Sequence, residues 1–146
     1  MYNVGFFIPK IDGSDLNVEI FENLNEALTS KEIAEAVVFY NDVEHNPVTP
    51  KFGMFNSTDI WFFTGTLIST SLDTCELSRS AVNKFKLYHL YNAGEKNLVG
   101  ALHISQHVEF ITTSPEDSKE LYRITGKKPV LEVSGIKNLI SRLGEL

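Results

Sequence analysis

The sequence is poor in features that several classes of protein require. Its single cysteine, Cys75, excludes an internal disulfide. The formal charge is −6 and lysine and arginine form no run, so a nucleic-acid-binding surface is not expected. No apolar stretch approaches the roughly 18 residues that span a bilayer. The first residues form neither a basic leader nor a long apolar run, so a cytoplasmic protein without a membrane span is expected.

Motifs that hold phosphate or metal are also missing. Neither G-x-G-x-x-G nor the P-loop pattern occurs, and no cofactor is predicted. His103 and His107 are four residues apart, as in zinc proteases, but Ile104 stands where those enzymes have glutamate. The sequence offers no third ligand that can be assigned, so no metal site is predicted.

Apolar segments instead alternate between strand and helix patterns. The 146 residues are 42% apolar, which suits one packed domain covering the whole chain, residues 1 to 146. The run from Val4 to Pro9 is typical of a strand buried on both faces. Leucine and isoleucine then recur every four residues from Leu16 to Leu28, which predicts an amphipathic helix. Further strands are predicted at Glu35 to Asp42, Asp59 to Gly65 and Lys84 to Asn92, with helices near Leu72 to Asn83, within Glu95 to Ser105 and from Ile136 onward, while the segment from Asp42 to Thr58 is predicted to be mainly connection.

The segment from Val108 to Ile136 predicts one complete strand-helix-strand unit. Ser114 is a good N-cap, Pro115 suits the first helical position and Gly126 ends the helix. Such units wind into parallel sheets through right-handed crossovers. The predicted fold class is therefore α/β, a three-layer doubly wound sheet that is mostly parallel and Rossmann-like.

Ligands of such sheets bind beyond the carboxyl ends of the strands, so the candidate residues are sought in the loops predicted there. These loops are Pro9 to Asp15, Asp42 to Asn46, Thr64 to Thr70, Tyr91 to Lys96 and Thr113 to Glu116. Four groups are candidate bases for catalysis: Asp42, Glu44, His45 and Glu95. Four residues are candidate ligand contacts: Gly13, Thr64, Gly65 and Ser114. Simpler interpretations remain open, because Gly13 also suits a plain turn, Ser114 a helix cap, and the residues from Asp42 to His45 a solvated loop.

Three stretches resemble the N-terminal, acceptor-side domain of glycosyltransferases with the two-Rossmann GT-B fold. They are DIWFFTGTLIST, KFKLYHLYNAGE and VEFITTSPEDSKELYRITGKKPVLEVSGI. The resemblance implies a domain that binds a sugar or nucleotide-sugar at the carboxyl ends of its strands. In that family a second Rossmann domain holds the donor. The resemblance therefore implies that this chain alone is an incomplete transferase, which would work with a separate partner domain.

A different class of function is a non-catalytic doubly wound module that dimerises or docks a partner. Its exposed apolar face is predicted to be the C-terminal helix or the segment from Phe52 to Phe55. The two hypotheses predict different surfaces. A sugar-binding domain should have a concave pocket where the loops of Gly13, Gly65 and Ser114 converge, whereas a docking module should have a shallow cleft and a large apolar patch elsewhere.

Overall fold

Seven parallel strands form a single sheet in a computed structural model that describes residues 2 to 81, 84 to 92 and 95 to 146. The strand order is β3-β2-β1-β4-β5-β6-β7, so the order reverses between β1 and β4. This order confirms the predicted doubly wound, Rossmann-like fold, and every pairing is parallel. The strands are β1 Asn3–Ile11, β2 Glu35–Val43, β3 Gly53–Asn56, β4 Thr64–Ser69, β5 Lys84–Leu90, β6 Glu109–Thr112 and β7 Leu131–Glu132.

Helices cover both faces of this sheet. Helices α1 and α5 pack against each other on one face, and α2, α3 and α4 lie on the other. Within the described residues, no helix has the length and apolar character needed to cross a membrane. The α-helices are α1 Asp15–Thr29, α2 Leu72–Arg79, α3 Leu98–Ser105, α4 Pro115–Thr125 and α5 Ile136–Arg142, and two 3-10 helices span Ser57–Phe62 and Leu143–Glu145.

The central strand β1 is buried on both of its faces. Phe6 and Ile8 pack toward α1 and α5, while Phe7 points to the other face and meets Phe39 of β2 edge to face, with 6.5 Å between ring centroids. Successive side chains of a strand point in opposite directions, so a strand covered on both sides needs an unbroken apolar run. The run from Val4 onward therefore identified the centre of the fold correctly.

The predicted strand from Asp59 to Gly65 is wrong. Residues Ser57–Phe62 form a 3-10 helix whose N-cap, Asn56, accepts a hydrogen bond from the Thr58 amide at 3.1 Å. In the aromatic run Trp61-Phe62-Phe63, Trp61 is 51% exposed and Phe62 is 85% exposed, so this segment is not a buried strand. Strand β4 begins only after it, and the segment predicted as connection contains the edge strand β3.

The expected strand-helix-strand unit is confirmed as β6, α4 and β7. Ser114 Oγ accepts the Asp117 amide at 3.1 Å, Pro115 is the first residue of α4, and Gly126 ends the helix with a left-handed φ of 72°. The predicted helix near Leu72 ends at Arg79, and its expected limit, Asn83, lies outside the described residues.

The C-terminal helix does not provide an exposed apolar face. Its apolar residues are buried in the core with α1, as is Phe52, and only Phe55 of the predicted Phe52 to Phe55 surface is substantially exposed. The apolar face of an amphipathic helix packs against neighbouring elements, and for α5 these are α1 and the sheet. The buried residues of this stripe are Ile136, Leu139, Ile140 and Leu143.

Candidate functional site

A cleft of about 460 Å³ lies at the carboxyl edge of the sheet. The residues that directly follow four neighbouring strands reach it, which is the location where doubly wound sheets bind ligands. These residues are Thr70 after β4, Tyr91 and Asn92 after β5, Thr113 after β6, and Ser134 near the end of β7. The cleft is therefore rich in hydroxyl and amide groups.

Two helices add carboxylates to the cleft. Glu19 of α1 accepts the Ile136 amide at 3.0 Å through Oε1, and so caps the first turn of α5. A β-carbon built on Gly135 would lie 3.1 Å from the same oxygen, so the glycine gives this carboxylate room. Asp117 of α4 accepts the Thr113 hydroxyl at 3.3 Å through Oδ2. Both carboxylates are held by the protein before any ligand arrives.

Tyr91 forms the aromatic part of the cleft. Its ring stacks on Phe110, with 6.3 Å between centroids and an interplanar angle of 26°. Burial raises the pKa of the Tyr91 phenol, and the nearby carboxylates of Glu120 and Asp117 raise it further. The phenol is therefore a neutral hydroxyl at physiological pH. Among the described residues that line the cleft, none is a lysine, arginine or histidine.

The candidate bases at the carboxyl end of β2 and just after it lie together, but outside this cleft. Glu44 forms an ion pair of 2.6 Å with Lys10, and Asp42 is the register partner of Lys10 in the sheet. A β-carbon built on Gly13 would lie 3.1 Å from His45 Nε2, so the loop after β1 contacts the loop after β2. Asp42, Glu44 and His45 are all exposed, which agrees with a solvated loop.

Thr64 and Gly65 lie at the opposite edge of the sheet. They begin β4, so they occupy its amino end rather than a loop after its carboxyl end. Gly65 has a φ of 133° and its backbone packs against Asn3 of β1, whose side-chain amide donates to the Thr64 carbonyl at 3.4 Å. The predicted convergence of the loops of Gly13, Gly65 and Ser114 is therefore wrong.

Glu95 and Ser114 lie near the carboxyl edge without lining the cleft. Glu95 Oε1 accepts the Asn97 amide at 2.9 Å and so stabilises the turn before α3. Residues 93 and 94, which belong to the predicted loop beside it, lie outside the described residues. The Ser114 hydroxyl accepts the Asp117 amide, as a helix cap does.

Replacing Ser114 by alanine is expected to lower the free energy of unfolding by about 1 kcal/mol, because the Asp117 amide loses its partner. Replacement by asparagine, which keeps a side-chain oxygen that can accept the same amide, should cost only a few tenths of that value. Urea denaturation of both variants measures the difference. Equal losses would show that the Ser114 side chain does not cap α4.

Only some of the residues that line the cleft could be predicted from the sequence. Thr70, Asn92 and Thr113 fall in loops that the topology rule selected, because each follows a strand. Glu19 lies on a helix, and Ser134 follows the last strand, so neither belongs to a selected loop. The one available signal for Ser134 was its position between a predicted strand and the final helix.

Three potentially reactive groups are buried in the protein interior: Ser69 of β4, His89 of β5 and Cys75 of α2. Ser69 Oγ is 2.8 Å from His89 Nδ1, and burial lowers the pKa of His89 to about 4. Burial also raises the pKa of the Cys75 thiol to about 11. The Cys75 thiol is therefore protonated at neutral pH, which disfavours nucleophilic chemistry. Ser69 and His89 are 0% and 2% exposed, so a substrate cannot reach this hydrogen-bonded pair.

No family model, no curated protein and no solved structure matches the chain. The strand order alone establishes the fold type, and the chemistry of the cleft is the basis for any functional conclusion. The glycosyltransferase resemblance rests on the three sequence stretches that suggested it.

Proposed function

We propose that this chain is a glycosyltransferase-like domain that binds a sugar in the cleft at the carboxyl ends of its strands. The observation that supports this proposal is the polar lining of the cleft, which has hydroxyls, an amide, an aromatic ring and two carboxylates beside Leu16, Leu90 and Ile136, and no cationic side chain among the described residues. Carboxylates only accept hydrogen bonds, whereas hydroxyl and amide groups also donate. This combination matches a neutral ligand with many hydroxyl groups.

The same lining disfavours the binding of a nucleoside diphosphate. Two carboxylates repel phosphate, and the lining residues that the structure describes include no arginine or lysine to offset that repulsion. Helix N-termini often bind phosphate through free amides, but Glu19 already occupies the Ile136 amide and Ser114 the Asp117 amide. We therefore propose a sugar as the ligand of this cleft, as the sequence predicted, and we assign any nucleotide-sugar donor to a separate domain.

Asp117 is the preferred base if this domain takes part in transfer. A base must lie within hydrogen-bond reach of the acceptor hydroxyl that it deprotonates. Asp117 lines the cleft, and its contact with Thr113 leaves room for a second donor on the carboxylate. Of the candidate bases found in the sequence, Asp42, Glu44, His45 and Glu95, none lines the cleft.

Titration calorimetry with monosaccharides, disaccharides, nucleotides and nucleotide-sugars tests the proposal. We expect simple sugars to bind and free nucleotides to give no heat above dilution. The Asp117→Asn substitution should weaken sugar binding by about tenfold to a hundredfold, because a hydrogen bond to a charged group contributes about 1.5 to 3 kcal/mol.

The Asp42→Asn substitution is the matched control, because it makes the same chemical change on an exposed residue outside the cleft. It should leave the dissociation constant unchanged. Equal weakening in both variants, or binding of nucleotides without binding of sugars, would contradict the proposed site.

A docking module is the second candidate function. The exposed rings of Phe55, Trp61 and Phe62 favour it, and so does the finding that Gly13, Gly65 and Ser114 do not converge on one pocket. The exposed fractions of the three aromatic residues are 45%, 51% and 85%. A group of large apolar side chains in water usually marks an interaction surface. This observation concerns the amino edge of the sheet, so it is compatible with sugar binding at the carboxyl edge.

A further inference from the structure

An open aromatic pocket lies at the amino edge of the sheet, on the face that carries α2, α3 and α4. Its volume is about 380 Å³. Phe39, Phe55 and Phe63 form its interior, with 6.4 Å from Phe39 to Phe55 and 5.7 Å from Phe39 to Phe63 between ring centroids. The carboxylates of Glu35 and Asp59 stand at its rim. We name this surface the acidic pocket.

The acidic pocket is open because few elements pack over this part of the sheet. Helices α2, α3 and α4 lie over β4, β5 and β6, whereas in the described residues only the 3-10 helix Ser57–Phe62 packs over β2 and β3 on this face. Phe62 therefore remains 85% exposed beside the pocket. Glu35 and Asp59 form no ion pair within the described part of the chain.

A surface of the opposite character lies at the far end of the strand order. On α4, Tyr122 is 55% exposed, and Lys119 and Arg123 flank it at neighbouring helical positions. Lys128 and Pro129 lie on it before β7, and Glu132 of β7, whose carboxylate accepts the Ser118 hydroxyl, is its one acidic lining residue in the described part of the chain. Arg123 pairs with Glu120 at 2.7 Å, but neither Lys119 nor Lys128 has a carboxylate partner among the residues described. We name this surface the basic face.

We propose that the acidic pocket binds the basic face of a second copy of this chain. The exposed ring of Tyr122 fills the aromatic interior, and Lys119 and Lys128 meet the rim carboxylates of Glu35 and Asp59. Aromatic anchors in pockets dominate the energetics of protein interfaces, and complementary charge fixes their register. The inference is independent of sugar binding.

The geometry makes this contact a head-to-tail one. The acidic pocket borders β3 and the basic face borders β7, which are the two edge strands of the sheet. One copy therefore cannot bring its own two surfaces together. Because each copy has both surfaces, two copies can pair them reciprocally in a closed dimer, and otherwise association continues to a larger ring or an open chain.

Sedimentation velocity over a range of protein concentrations tests the proposal with two single-surface variants, Phe62→Ser and Tyr122→Ser. Wild-type mass should grow with concentration to that of a dimer or beyond it. Each variant alone should self-associate roughly thirtyfold more weakly, the effect of losing an interface hot spot. An equimolar mixture of the two should form a one-to-one dimer and stop there, since only one intact surface of each kind remains.

Charge exchange supplies a test that does not remove any aromatic ring. The Glu35→Lys/Asp59→Lys and Lys119→Glu/Lys128→Glu variants should both lose association. Their fourfold combination should regain it, and it keeps the wild-type formal charge of −6 because the changes cancel. This restoration separates a direct contact from an effect of net charge.

The control for apolar exposure is Val99→Ser, since Val99 on α3 is 80% exposed and belongs to neither surface. It should associate like the wild type. A wild type that stays monomeric at the highest attainable concentration overturns the proposal, as does a mixture of single-surface variants that fails to pair. The proposal is also overturned if Val99→Ser fails to associate while Phe62→Ser still associates, because the contact would then lie on α3.

Discussion

Replacing Gly65 by alanine is expected to lower the free energy of unfolding by about 3 kcal/mol or more. The φ of 133° at Gly65 is strained for any residue with a side chain, at a cost of roughly 1 to 3 kcal/mol. A β-carbon there would also lie 2.5 Å from the Asn3 carbonyl oxygen, which is far inside van der Waals contact. Asn3 belongs to the central strand and cannot move away without disturbing its pairing. Urea denaturation monitored by circular dichroism measures the loss.

The matched control is Gly13→Ala. A β-carbon at Gly13 would meet only the ring of His45, an exposed side chain that can rotate away, so a change under about 1 kcal/mol is expected. The comparison also tests the ligand contact that the sequence analysis predicted for Gly65. A Gly65→Ala protein of unchanged stability that no longer bound sugar would show that Gly65 acts on a ligand rather than on the sheet.

Local rules were sufficient where the structure depends on neighbours in the chain. Ser114, Pro115 and Gly126 bound helix α4, and each acts through backbone groups within a few residues of itself. Capping and left-handed termination are chemical preferences of those residue types, so they can be recognised without a fold. The same holds for the central strand β1, whose apolar run reports burial on both faces.

Local rules failed at Trp61 and Phe62, where the structure depends on distant residues. An apolar aromatic run of this length is usually a buried strand, and periodicity does not reveal which rings face solvent. The decisive packing is that of Phe63, whose ring comes within 2.9 Å of the β-carbon position of Gly5 in β1. That contact fixes where β4 begins, and it joins residues far apart in the sequence.

The location of the candidate site could be predicted better than its residues. The rule that parallel strands present their carboxyl ends at one edge selected the loops of Thr70, Asn92 and Thr113. Glu19 reaches the cleft only because α1 packs on α5, and its hydrogen bond to the Ile136 amide spans 117 residues. No spacing in the sequence indicates such a contact, because it depends on the completed three-dimensional fold.

Lowering the pH from 7 to 4 is expected to remove about 3 kcal/mol of stability through His89 alone. Burial lowers its pKa from 6.5 to about 4 in the folded protein. Between these values the unfolded chain binds a proton that the folded chain does not, so the free energy of unfolding falls as the pH falls. Each unit of difference corresponds to 1.36 kcal/mol. Urea denaturation at half-unit intervals from pH 7 to pH 4 measures this slope.

The His89→Asn variant isolates this contribution, because asparagine does not titrate and its amide can keep the hydrogen bond to Ser69. The variant loses the ring contact with Phe110, at 4.9 Å between centroids, so it should be less stable than the wild type at pH 7. Its stability should nevertheless fall less steeply between pH 6.5 and pH 4. The lowered pKa values of Asp12, Glu120 and Glu145 add a loss in both proteins near the acidic end of this range, so the difference between the two curves is the relevant quantity. If the wild-type and His89→Asn stabilities fall in parallel between pH 6.5 and pH 5, His89 accepts a proton in the folded state and the prediction is wrong. The two curves converge only if the folded protein excludes the charged imidazole.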